Sequence, residues 1–269
     1  MTATSTSSRT AARRAIHLLG LAALTGVPPA LAADEPVADG QWRGSAGAAW
    51  SSSAGNARST SVRLDVDLSR LTEADRIGLG GNIEYARNRV DGSDETTANR
   101  IGAFGQYDFN LSPRLFAFGR LALERDQVVD LDLRTALNGG LGWKLIDRQS
   151  LRFSVFGGAG VTDERYGSPQ TIAGQTDTRF RRGTLLLAEE SEHLFSPTVS
   201  VKQRLELLPG LGGDKGNRAN LRADLAVAIN RTMSLSVGLT GRYNSEPPAG
   251  RKSTDTTFFT GLNVKLGAD

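Results

Sequence analysis

One feature constrains this chain more than any other: a period of two that recurs from residue 41 to residue 266. In the stretch "LSVGLTGRY", Leu235, Val237, Leu239 and Tyr243 alternate with Ser236, Gly238, Thr240 and Arg242. After a polar, Pro- and Gly-rich loop, Phe258, Leu262, Val264 and Leu266 alternate with Phe259, Asn263 and Lys265. Such alternation is the mark of a strand with two unlike faces. Ten further segments carry it: 41–51, 60–68, 76–88, 97–109, 115–126, 131–145, 151–162, 184–194, 199–208 and 219–229. The fifth is untidy, because Phe116 and Phe118 share the parity of Arg120 and Glu124, so a bulge is expected near Gly119.

Two architectures accommodate about a dozen such strands, a water-soluble all-β domain and a membrane barrel. No apolar run reaches the ~18–20 residues of a spanning helix, which excludes a helical membrane protein. The first residues read as a secretory signal peptide. Arg9, Arg13 and Arg14 form a basic region, residues 15–27 are mostly apolar, and Ala30-Leu31-Ala32 is a small-x-small site with cleavage after Ala32. Without those 32 residues, the 32 Lys and Arg fall by three to 29, against 29 Asp and Glu. A balanced mature chain gives no support to a nucleic-acid partner. There is no Cys, which excludes both disulfides and a lipoprotein anchor.

Connections and energetics choose between the two architectures. Links after even-numbered strands are short, such as "NLSPR" and "IDRQS", whereas those after odd-numbered strands run longer and more polar, such as "DERYGSPQTIAGQTDTRFRRG". Outer-membrane barrels follow that rule, with short periplasmic turns, longer outer loops and an even strand count. A Lys or Arg facing lipid at mid-membrane costs roughly 2–4 kcal/mol, so the charges must share the lumen face. The expected fold is all-β: one closed antiparallel transmembrane barrel of about twelve strands over 41–266, preceded by a short periplasmic segment, 33–40, and followed by a tail, 267–269.

The predicted lumen-lining charges are Arg63, Asp65, Glu84, Arg100, Asp108, Arg120, Glu124, Arg134, Lys144, Arg152, Lys202, Arg204, Glu206, Arg222, Asp224, Arg242 and Lys265. They would form either charged rings around a narrow conduit, mildly preferring anions, or an ion-pair network that fills and stiffens a small barrel. Trp42, Trp50, Tyr85, Tyr107, Trp143 and Tyr243 are candidates for aromatic girdles. Trp42 and Trp50 lie eight residues apart on one face, about 26 Å along a strand and about 20 Å along the membrane normal after tilting.

Catalysis finds little to build on. His193 stands in "AEESEHLF" with Glu189, Glu190 and Glu192, but consecutive strand residues point to opposite faces, so the four cannot converge on a metal or an acid–base pair. A paired lumen cluster or a rim is the plainer reading. "GGLGWK" lacks phosphate-loop spacing. Arg179, Arg181 and Arg182, in the expected outer loop 163–183, would either grip lipopolysaccharide phosphates or line a solvated loop base. Asp163 and Glu164 are rim acids without a neighbouring His. Neither an enzyme nor a cofactor is expected.

The stretches "DETTANRIGAFGQYDF", "LFAFGRLALERDQ", "GGLGWKLID" and "YNSEPPAGRKSTDTTF", in this order, resemble the salt-induced outer-membrane protein family of Gram-negative bacteria. The likeness covers most of 41–266. It implies an outer-membrane barrel of unestablished function, in contact with lipid, lipopolysaccharide and the barrel-assembly machinery, and brings no catalytic residue or substrate. Such barrels generally end in an aromatic residue, whereas this chain reads "NVKLGAD"; either Leu266 takes that role or assembly is less efficient. A structural barrel linked to salt or osmotic stress is the first functional expectation, a narrow diffusion channel the second and a barrel enzyme the third.

Overall fold

Twelve strands, each antiparallel to both neighbours, close on themselves when β12 pairs with β1. The computed structural model describes residues 38–53, 57–90, 93–211, 216–248 and 252–267; the signal peptide, its cleavage at Ala32 and most of the 33–40 segment lie outside them. The strands are β1 (Trp42–Ser53), β2 (Ala57–Leu71), β3 (Asp75–Val90), β4 (Ser93–Asn110), β5 (Leu115–Asp126), β6 (Leu131–Arg148), β7 (Leu151–Ile172), β8 (Gln175–Ser196), β9 (Val199–Leu208), β10 (Arg218–Ala228), β11 (Met233–Asn244) and β12 (Thr254–Gly267). Closure leaves no sheet edge, which hydrocarbon would leave unsatisfied.

The alternation sorts cleanly in three dimensions. Leu64, Ile83, Ile101, Leu137, Leu141, Leu225, Val237 and Leu262 are exposed on the outer wall, while their chain neighbours Arg63, Glu84 and Asn138 are buried inside. The aromatic candidates also stand on the outer wall, exposed, and divide between its two ends. Trp42, Tyr107 and Trp143 lie near the end that carries the short turns. Trp50, Tyr85 and Tyr243 lie toward the other. An apolar band between two aromatic belts is the wall of a transmembrane barrel. Just before β1, Asp39 accepts from both Arg43 guanidinium nitrogens at 2.8 and 2.6 Å, which holds its carboxyl well below the usual range.

Two local expectations are corrected. No bulge occurs at Gly119: β4 and β5 stay in register from Arg100↔Asp126 to Asn110↔Phe116. Phe116 and Phe118 point into the barrel, where they meet Phe156 edge-to-face at 5.4 and 5.6 Å. The "long loop" 163–183 is also strand. β7 and β8 run out to a two-residue turn at Ala173-Gly174, with positive φ at both positions. Beyond the apolar band a paired strand needs no apolar face, so period-two hydrophobicity fades while the ladder continues. The expected longer links after β3 and β5 are short as well, residues 91–92 and 127–130, so at that end only the links after β9, 209–217, and β11, 245–253, are longer than the turns opposite.

Interior Phe rings lie against glycines directly across the ladder. The register pairs Gly80 with Phe104, Gly142 with Phe116 and Gly238 with Phe259. A Cβ at these glycines would stand 2.4, 2.2 and 2.0 Å from the facing ring. Each Gly therefore lets an aromatic ring lie flat on the inner wall, the aromatic cover of a strand glycine. Gly142→Ala and Gly238→Ala must displace a ring and should each cost about 1–3 kcal/mol. The check is the urea midpoint of the folded barrel followed by tryptophan fluorescence; an unchanged midpoint for both variants would show that the rings are not seated this way.

Candidate functional site

Charge inside a barrel has to be solvated or paired. The interior of this one does both, at different depths. Toward the end opposite the short turns, Glu164 on β7 is 1% exposed and lies among three arginines. Its Oε1 accepts from Arg134 Nε and Arg218 Nη2, each at 2.6 Å, and Arg182 Nη2 stands 3.5 Å from its Oε2. Leu131, which opens β6, forms an adjoining apolar cluster with Tyr166, Ile172 and Phe180 of the β7–β8 hairpin. The ladder slips between Arg165 and Gln170 there, an irregularity of the kind that bends a hairpin.

The network then crosses the barrel. Arg134 Nη1 donates to Glu124 Oε1 at 2.9 Å. Arg242 Nη1 reaches the same oxygen at 3.3 Å. Glu124 belongs to β5 and Arg242 to β11, six places apart in a ring of twelve, so this contact joins opposite walls. Arg100 lies between Glu124, at 3.7 Å, and Asp126. Glu84 joins through Arg100 at 4.0 Å, pairs with Arg63 at 3.7 Å and accepts from Thr257 Oγ1 of β12 at 3.4 Å. Arg63 also covers the Phe259 ring at 4.7 Å.

The half nearer the short turns is looser and wetter. Arg204 bridges Glu190 at 2.6 Å and Glu206 at 2.8 Å. Arg152 and Lys202 flank Glu192 at 3.0 and 3.1 Å. Arg222 pairs with Asp224 at 2.7 Å and leans across to Asp65 on β2 at 3.7 Å. Arg120 donates to Gln106 at 3.0 Å, and Gln106 donates to Asp108 at 2.8 Å. Lys144 reaches Asn110 at 3.4 Å, while Lys265 lies exposed near the β12 terminus, opposite Ser45. Side-chain exposure is greatest toward this end, 65% for Lys202, 45% for Arg76 and 48% for Asp67, and least at Asp126 and Arg182 in the other half, 4% and 7%, while the central Arg204 and Arg134 are alike at 20% and 23%.

Parity missed part of this interior. Asp67, Asp126, Glu164, Glu190 and Glu192 join it, as do Arg76, Arg182 and Arg218, bringing the two signs closer to balance. Arg179, Arg181 and Arg182 make no common patch. Arg179 pairs with Asp163 at 2.6 Å on the outside, Arg181 is exposed and Arg182 is buried inside. Glu189, Glu190, Glu192 and His193 separate as well. Glu190 and Glu192 face the lumen, whereas Glu189 and His193 share the outward parity of Leu185 and Leu187. Glu189 therefore belongs to neither a lumen cluster nor a rim.

A model of the family described as a protein of unknown function, DUF481, matches residues 46–266, nearly the whole barrel. The chain belongs to the DUF481 family. It is 25% identical over 236 residues, 86% of this chain and 87% of the relative, to the uncharacterized protein YdiY of Escherichia coli (strain K12). Among solved structures it is similar to an outer membrane channel from Pseudomonas putida F1, at 14% identity and TM-score 0.48, covering 90% of this chain and 100% of that one. It is likewise similar to the NanC porin, at 11% identity and TM-score 0.46, covering 85% and 98%. Closed, antiparallel and even-stranded, with an apolar outer face, this DUF481 member is an outer-membrane β-barrel.

Glu164 carries the interior of the half opposite the short turns. Glu164→Ala leaves Arg134, Arg182 and Arg218 facing one another without their shared acid, and breaking a buried ion pair in this way costs about 3–5 kcal/mol. Chemical unfolding of the refolded barrel should register that loss, while Lys202→Ala in the wet half should change stability by less than about 1 kcal/mol. Equal effects at the two sites would remove the distinction between the halves.

Proposed function

We propose that this protein serves the outer membrane as a braced barrel whose lumen is shut at rest, a structural element of the envelope rather than a standing pore. The observation that carries this reading is the Arg242–Glu124 contact between opposite walls, continuous through Arg134 with the buried Glu164 cluster. Side chains that meet across the lumen narrow the column left to hydrated ions at that level. The interior Phe116–Phe118–Phe156 cluster occupies part of the lumen at another level, nearer the short turns, on the β5–β7 side. Export through a signal peptide cleaved after Ala32 fits this location, as do the aromatic belts. Association with salt or osmotic stress rests on the family resemblance. No catalytic role is proposed; Glu189, Glu190, Glu192 and His193 divide between the two faces.

A second reading has an observation of its own. The solvated half around Lys202, Arg76 and Asp67 resembles a vestibule, and a vestibule behind a polar constriction is how a gated narrow channel is built. One experiment separates the two. The refolded mature chain in a planar bilayer, its folding verified by heat-modifiable migration, should be silent. The pair Glu124→Ala with Arg242→Ala should add discrete conductance steps. Steady steps from the unaltered protein, with a mild anion preference, would reject the closed barrel and leave the channel.

A further inference from the structure

Among the described residues, every strand but one pair keeps its charged and amide side chains off the middle of the outer wall. The exception lies on β8 and β9. Glu189 shares the parity of the exposed Leu185 and Leu187, and Gln203 that of Val201 and the exposed Leu207. Gln203 Nε2 donates to Glu189 Oε1 at 2.6 Å. Ser191 sits opposite Gln203 in the ladder, and His193 follows on the same face, stacked on Phe195 at 4.0 Å.

The register fixes the height of this group. One ladder row runs Leu115, Trp143, Val155, Glu189, Leu205, Leu221, Gly241 and Thr256, from β5 to β12. Leu115 opens β5 at the short-turn end, and Thr256 stands near the start of β12 at the opposite end. Glu189 is fourth of eight in that climbing row, well inside the apolar band. Its ladder neighbours Val155 and Leu205 are apolar. A carboxylate facing hydrocarbon there is costly, and intramembrane ionisable residues are retained where a partner meets them.

We infer that the β8–β9 face is an intramembrane interface and that its occupant is a second copy of this chain. Self-complementarity identifies the copy. The internal bond uses one amide N–H and one carboxylate oxygen; what remains is another N–H on Gln203 and another oxygen on Glu189, a donor and an acceptor side by side. A two-fold axis through the pair sets each donor against the partner's acceptor, as an isologous contact requires. The adjoining wall is shallow enough for close approach. Gly119, Gly139, Gly157 and Ala159 adjoin one another across β5–β7. A Cβ added at Gly119 or Gly157 would meet no atom within 4 Å. Small residues that admit a neighbour, with polar groups as the link, are the usual composition of contacts within a bilayer.

The absence of Cys makes the test direct. Ser191→Cys, expressed in cells and oxidised in isolated outer membranes, should form a disulfide-linked species of twice the barrel mass, because a residue beside a two-fold axis meets itself. Leu64→Cys, on β2 six places away in the ring, should not. Glu189→Leu with Gln203→Leu, which removes the polar contacts yet suits a lipid-facing wall, should lower the Ser191→Cys dimer by about tenfold while heat-modifiable migration is kept. Four outcomes would overturn the interface: monomer alone, equal dimer at both Cys positions, an adduct of any other mass, or dimer indifferent to the double substitution.

Discussion

The meeting of Glu124 and Arg242 at the centre of the barrel organises the rest of the interior. Neither residue can leave the network alone, because Glu124 is shared with Arg134 and Arg100, and Arg134 is committed to Glu164. Buried ion pairs contribute little net stability compared with apolar replacements, yet losing one partner is severe. Their value here is geometric. A wall of hydrogen-bonded strands resists shear along its ladder but can flatten, and a bridge between β5 and β11 opposes flattening at its level, as the Arg76–Glu190 pair between β3 and β8 does nearer the short turns.

The aromatic rings solve a related packing problem. A twelve-strand wall encloses more space than side chains of ordinary size fill. Phe104, Phe116 and Phe259, each seated on a facing glycine, spread apolar area over the inner surface. Arg120 and Arg63 stack over two of the rings, at 4.0 and 4.7 Å, so the charged network rests on aromatic faces. The glycines thus have two uses. On the inside they make room for rings, and on the outside around Gly119 and Gly157 they leave the wall bare.

How much of this could be read from the chain depended on the range of the interaction. Parity needs only adjacent residues, so Arg63 against Leu64 or Leu137 against Asn138 was legible, and β5 and β9 appear with the boundaries that periodicity assigns. Phe116 and Phe118 strained the pattern because inward aromatics look like a slipped register; the glycines opposite them were the missing clue. The β7–β8 hairpin was hidden because polar strands in water carry no hydrophobic period, although Glu164 sits two residues from Tyr166 on the same face. Glu189 could have been placed outside by extending the parity of Leu185 and Leu187. The Glu124–Arg242 pair could not, since 118 residues separate the partners and barrel closure alone brings them together.

The most direct test of the proposed closure of the outer half uses sidedness. Lys202→Cys places one thiol in the wet half of a chain without native cysteine. Reconstituted in vesicles of known orientation, it should react with a membrane-impermeant thiol reagent added on the side of the short turns. It should stay unlabelled when the reagent is added on the side of the β7–β8 hairpin. Equal labelling rates from both sides would mean that the Glu124–Arg242 level is open, and would contradict the account.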